Sequence, residues 1–283
     1  MRRESVLVKI WKVLSPLFIY MIAQMVVTTV GMMTFGEEYA LYYLFAAALI
    51  CIPIYYKMYR NDFIAAGEVK RNIPMENKDS IAIIISSAAL AVAMNNIISI
   101  TPLPYIFPGY EETNEVLFGG PVILQILTAG VFACVVEEMS HRGVAYLRMK
   151  RYWGKRKAMI LSALVFGIYH MNVVQAVYSF VLGLFFAWLY DRYDSLCAPI
   201  IGHMSANLFV ILLGSSDFVL RVMNHLVGFC LITCISILIF SYGWNFMNQT
   251  NPLIDLEFVD KDPDTLEGLT EEYKKREREE EKK

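Results

Sequence analysis

Two adjacent glutamates, Glu137 and Glu138, stand in an apolar stretch that runs from Val122 through Val136 and past Met139, with Arg142 following. An ionisable side chain at membrane depth is costly, so it faces a protein interior or a water-filled cavity and marks a functional site by default. Carboxylates so placed can activate a water, relay protons or ligate a metal. Downstream, His141 precedes Arg142, His170 interrupts the next apolar segment, and His203 and Asn207 stand one helical turn apart in a later one. The fourth histidine, His225, falls at an external helix end beside Arg221 and reads as interfacial.

Helical geometry divides the glutamates between two tasks. Glu138 and Arg142 are an i,i+4 pair with the acid N-terminal, the better orientation for an ion pair on a helix. Buried charges are tolerable only when paired, so these two read as a structural clamp. Glu137 lies about 100° further around the helix and must face another group, for which His170 is the expected partner. Depth supports a shared site. At about 1.5 Å per residue, Glu137 lies roughly 16 Å above Arg148, His170 roughly 20 Å above Lys157, and His203 and Asn207 roughly 14 and 20 Å above Asp194. Three helices thus carry their polar residues to one level, mid-way through an apolar core about 30 Å thick.

The elements that must position these residues are read from hydropathy. The 283 residues are 57% hydrophobic, too apolar for an ordinary soluble domain. Of 25 basic and 27 acidic residues, 19 lie beyond Gln249, so the preceding chain is poorer still in charge. Apolar runs predict an all-α, polytopic bundle of eight membrane spans at 13–35, 39–59, 80–100, 119–147, 156–172, 173–190, 195–213 and 226–246. The first follows Arg2, Arg3, Lys9 and Lys12 and is longer than a signal-peptide core, so it reads as a retained signal anchor. Basic clusters (Lys57, Arg60, Lys70, Arg71 and Lys78; then Arg148, Lys150, Arg151, Lys155, Arg156 and Lys157) alternate with acidic or near-neutral loops holding Glu37, Glu38, Glu111, Glu112, Glu115 and Asp217. This asymmetry puts both termini in the cytoplasm. Pro102, Pro104, Pro108 and Gly109 make 101–118 an irregular external linker, and the dense charges from Glu271 to Lys283 read as a solvated tail. The five cysteines form no CxxC and read as small core residues. Nothing suggests nucleic acid as a partner.

The three polar segments resemble the CPBP family of intramembrane proteases (CAAX proteases and bacteriocin-processing enzymes, the Abi family). That family's signature is EExxxR, then FxxxH, then HxxxN/D on successive helices. Here the segments read Glu137-Glu138-Met139-Ser140-His141-Arg142, Phe166-Gly167-Ile168-Tyr169-His170 and His203-Met204-Ser205-Ala206-Asn207. Hydropathy alone sets off helices one to three (1–118), a last span (214–250) and a tail (251–283), and the resemblance covers the catalytic helical core between them (119–213). The resemblance implies a multi-pass enzyme of a bacterial cell membrane, an endopeptidase that cleaves a membrane-associated, prenylated or leader peptide. Glu137 would be general base on a water held by His170. His203 and Asn207 would donate to the oxyanion, a contribution of about 2.7–4 kcal/mol per donor in such sites. Glu138 and Arg142 would support them. The family commonly has an aromatic residue before the arginine, where this chain has His141. It either fills that space with a nitrogen on a carbonyl or hydrogen-bonds Glu137 and tunes it.

Glutamate with two histidines is also a plausible zinc ligand set, and spacing does not decide between zinc and water alone. No HExxH is present. Two other readings compete: a non-proteolytic scaffold or immunity protein that keeps the fold, and a proton-coupled transporter. The second predicts internal symmetry between halves, and none is visible in the sequence.

Overall fold

Apolar segments in lipid must satisfy every backbone group internally, which leaves helices as the solution for runs of this length. A computed structural model of the chain describes residues 4–66, 75–107, 109, 115–116 and 119–250, and every described segment of regular structure is helical. Arg2, Arg3, Lys70, Arg71, Pro108, Glu111, Glu112 and the tail at 251–283 lie outside the described residues.

The first expected span is divided in two. Helix α1 (Val6–Leu14) and helix α2 (Leu17–Phe35) meet at Pro16. The break is closed by a side chain from helix α3 (Ala40–Ala66). The Tyr55 hydroxyl donates to the Pro16 carbonyl at 2.7 Å and accepts from the Tyr20 N–H at 3.1 Å. A hydroxyl inserted into the i→i−4 ladder is one of the few causes of a sharp helix bend. Helix α4 (Asn77–Ser99) is the central stave, with Ser86 through Ala93 all buried. Its small residues let other helices approach closely, as membrane interfaces require. A Cβ on Gly202 would lie 2.8 Å from the Ser87 Oγ, and one on Gly243 would fall 2.0 Å from the Ser86 Oγ.

After the short turn α5 (Leu103–Ile106) comes helix α6 (Val122–Trp153). Two stretches of it, Ile126–Phe132 and Met139–Tyr146, are π-helical and flank the α-helical turn Ala133–Glu138. π-Helical turns are rare and concentrate at functional sites. Gly154, at φ 79°, ends α6 and starts helix α7 (Lys155–Tyr169). Helix α8 (Val173–Tyr193) returns against α7 after a tight turn with Met171 at φ 51°, capped by the Asn172 side chain on the N–H groups of Val174 and Gln175. The open ends of this hairpin are tied by Lys155 and Lys150 on Asp191. Helices α9 (Cys197–Gly214), α10 (Asp217–Met223) and α11 (Leu226–Thr250) complete the bundle.

Among the described residues, seven helices are long and apolar enough to cross a membrane. The span expected at 156–172 is α7, whose 15 residues measure about 22 Å, short of the ~30 Å core. Two buried clusters hold the bundle. One joins α1, α2, α3 and α6 with residues of α7 and α8, and the other joins α4, α8, α9 and α11. The ionisable residues of α6 and α9 meet between them.

Candidate active site

Helix α6 presents Glu138 inward at the end of its α-helical turn, where the carboxylate has no solvent exposure. Arg142, equally buried, donates from Nη1 to Glu138 Oε1 at 2.9 Å. Its Nη2 donates to the Gly183 carbonyl at 3.0 Å, and its guanidinium lies 4.4 Å from the centroid of the Phe166 ring and 5.6 Å from that of Phe186. Gly183 makes this contact possible. A Cβ there would sit 3.2 Å from Arg142 Nη2 and 3.2 Å from Phe166 Cδ1.

Glu138 has a second partner that its helix alone does not reveal. His203 of α9 places Nδ1 2.9 Å from the same Oε1, and its ring stacks on Phe186 at 4.9 Å. An ionised carboxylate only accepts, so Nδ1 carries a hydrogen and Nε2 is turned the other way. That Nε2 lies 3.9 Å from Glu137 Oε2. Glu138 thus orients both the arginine and the histidine. Glu137 stays partly open, with 15% of its side chain exposed against none for Glu138.

His170 ends α7. Its Nδ1 lies 2.8 Å from the Phe166 carbonyl. A carbonyl only accepts, so Nδ1 holds the hydrogen and Nε2 is left with a free lone pair. Phe166 is the hub, set edge-on to His141 and His170 at 5.0 Å each and to His203 at 5.7 Å. The sequence pattern names Phe166 only as a motif position. Its role as the common wall of three imidazoles and an arginine emerges from the packing.

Asn207 lies one turn beyond His203 and points to the first π-helical stretch. Its Nδ2 donates to the Ala129 carbonyl at 2.9 Å and approaches Cys134 Sγ at 3.4 Å. His141 sets Nδ1 3.0 Å from the Glu137 backbone carbonyl and 3.0 Å from Ser140 Oγ, away from the Glu137 carboxylate. Its ring packs edge-on against Phe166 and Tyr169 at 5.0 Å each. It therefore fills an aromatic-sized space with a nitrogen on a carbonyl, the first of the two roles considered for it. His225 stands apart at the start of α11.

Among the described residues, no three of histidine, cysteine, aspartate and glutamate are grouped to hold a metal ion. The inner nitrogens of both site histidines are held, one by Glu138 and one by a backbone carbonyl, an arrangement that would equally orient each Nε2 toward a metal.

Comparison with known proteins finds similarity over the same part of the chain. Residues 119–209 match the family model described as "Type II CAAX prenyl endopeptidase Rce1-like". The chain is also similar to "Putative membrane peptidase YdiL" of Bacillus subtilis (strain 168), 26% identical over 92 residues. That similarity takes in 32% of this chain and 38% of the relative, so it spans well under half of either protein. No solved structure matches. The matched stretch, about a third of the chain, holds all three polar segments, and over it the chain is similar to the Rce1-like type II CAAX prenyl endopeptidases.

Proposed function

We propose that this protein is an intramembrane endopeptidase in which Glu137 activates a water for attack on a peptide carbonyl. One observation carries the reading: of two adjacent carboxylates, Glu138 is fully buried and bonded, while Glu137 is partly open with an imidazole nitrogen facing it. Glu137 takes a proton from the water, and His170 Nε2, with its free lone pair, holds that water in place. The hydroxide adds to the carbonyl carbon, and the oxyanion forms on the side of His203. A protonated His203 donates to it from Nε2 while Nδ1–H stays on Glu138. Asn207 adds a second donor by turning the amide hydrogen that meets Cys134 at 3.4 Å, the weaker of its two contacts. The proton held by Glu137 then passes to the leaving amine. The substrate class is a peptide presented in or at the membrane, such as a C-terminal segment bearing a prenylated cysteine.

The topology fits the same reading. Because Lys155 and Asp191 tie its ends together, the α7–α8 hairpin returns the chain to the side it left. Six other long helices stand among the described residues, an even number, which supports a topology with both ends of the described chain on one side. The basic clusters make that side the cytoplasm, in a multi-pass protein of a bacterial cell membrane.

The test is cleavage of a quenched peptide carrying a farnesylated cysteine three residues from its C-terminus, with protein reconstituted in vesicles. Glu137→Gln removes the base with little change of volume and should slow turnover by about 10²–10⁴-fold, the usual range for a positioned acid–base group. A variant that cleaves within about three-fold of the wild type would overturn the reading, since that lies far below the range for such a group.

A further inference from the structure

Beside Glu137 stands a second polar wall that the mechanism above does not use. Tyr169 ends α7 immediately before His170. Its ring is edge-on to His141 at 5.0 Å and near-perpendicular to His170 at 6.4 Å. The ring packs against the cluster holding Val136 and Met139, the neighbours of the glutamate pair. Its hydroxyl is buried, and no hydrogen-bond partner for it exists among the described residues. A buried donor left without a partner costs about 1–3 kcal/mol, so its retention beside a carboxylate needs a cause. The ring it meets, His141, is bonded through Nδ1 to the backbone carbonyl of Glu137. His141 Nε2 is also buried and without a partner. Two orphaned polar atoms on touching rings, beside a partly open carboxylate, describe a space that a donor or a water fills during the reaction.

From this packing we infer that Tyr169 is a positioning residue of the site, its hydroxyl donating to the Glu137 carboxylate directly or through one water. The inference rests on Glu137 being the base. The phenol then holds one carboxylate oxygen and leaves the other toward the water on His170. His141 serves as the backstop: its Nδ1 is anchored on the Glu137 carbonyl and its ring edge sets the angle of the phenol. The acid and its hydroxyl donor are thus braced from the same turn of α6.

Tyr169→Phe decides the matter, because it deletes only the hydroxyl and keeps the ring. Loss of a hydrogen bond to a charged group is expected to lower kcat roughly ten-fold or more, with KM for the farnesylated peptide little changed. Infrared difference spectra of the protein in vesicles supply a readout independent of turnover. The Glu137 carboxylate band, identified by its disappearance in Glu137→Gln, should shift in Tyr169→Phe. Tyr169→Leu, which also loses the ring, should shift the band equally and lower thermal stability in addition. A band and a kcat unchanged in Tyr169→Phe, with Glu137→Gln inactive, would overturn the role of Tyr169 and leave the base intact. Full activity in Glu137→Gln would instead remove the reading on which it stands.

Discussion

A double-mutant cycle on Glu138 and Arg142 tests whether the site is assembled around a buried, coupled charge pair. Arg142→Met keeps much of the volume but removes the 2.9 Å ion pair, the 3.0 Å bond to the Gly183 carbonyl and the guanidinium face on Phe166. Glu138, with no solvent exposure, keeps only His203 Nδ1 on one oxygen, while the other already has no partner. Breaking a buried pair from one side costs about 3–5 kcal/mol, because the surviving charge is left uncompensated. Glu138→Gln should cost less, about 2–3 kcal/mol, because Arg142 retains Gly183 and two aromatic faces. The double variant removes both charges, and the amide oxygen introduced by Glu138→Gln can still accept from His203. It should therefore be more stable than Arg142→Met alone, with a coupling of about 2–3 kcal/mol. Reversible unfolding by SDS in mixed micelles, followed by tryptophan fluorescence, measures all four corners. Additive costs within about 0.5 kcal/mol would show that the two groups act independently and that the clamp is not what holds α6 against α8 and α9.

Gly183→Ala places a Cβ 3.1 Å from Ala163 Cα and 3.2 Å from Arg142 Nη2, so overpacking should cost about 1–3 kcal/mol in the same assay. Gly214→Ala, with nothing within 4 Å, should stay within about 0.5 kcal/mol. If Glu137 activates the water unaided, as proposed, treatment with a strong zinc chelator should leave peptide cleavage unchanged. Loss of activity restored by added zinc would refute this.

The distances that depend on helix geometry alone were the legible ones. Glu138 and Arg142 are four residues apart on one helix, so their contact needs no knowledge of any neighbour. The common depth of Glu137, His170 and His203 needs only the rise per residue and the position of the charged loops. Rotation of one helix against another is different, because neither rise nor period sets it. For that reason the attachment of His203 to Glu138 is hidden in the sequence, which points to His170 as the partner of Glu137. The structure puts His203 within 3.9 Å of Glu137 and engages the inner nitrogen of His170 with its own helix.

The two π-helical stretches of α6 were hidden for a related reason. Nothing in the local sequence of Ile126–Phe132 or Met139–Tyr146 marks a π-helical turn. Yet each extra residue in a turn rotates the helix beyond it, and here one such stretch precedes the glutamates while the other succeeds them. The six residues between them, Ala133–Glu138, keep the ordinary period. The angle of about 100° between the glutamates therefore survives, while their bearing on the surrounding helices is reset. This explains how a local argument could divide the work between Glu137 and Glu138 and yet leave their interhelical partners undetermined. It also implies that the division belongs to the turn itself. A one-residue deletion within Ile126–Phe132 would swing both glutamates together by about 100°, separating Glu138 from His203 and Glu137 from the water site in a single step.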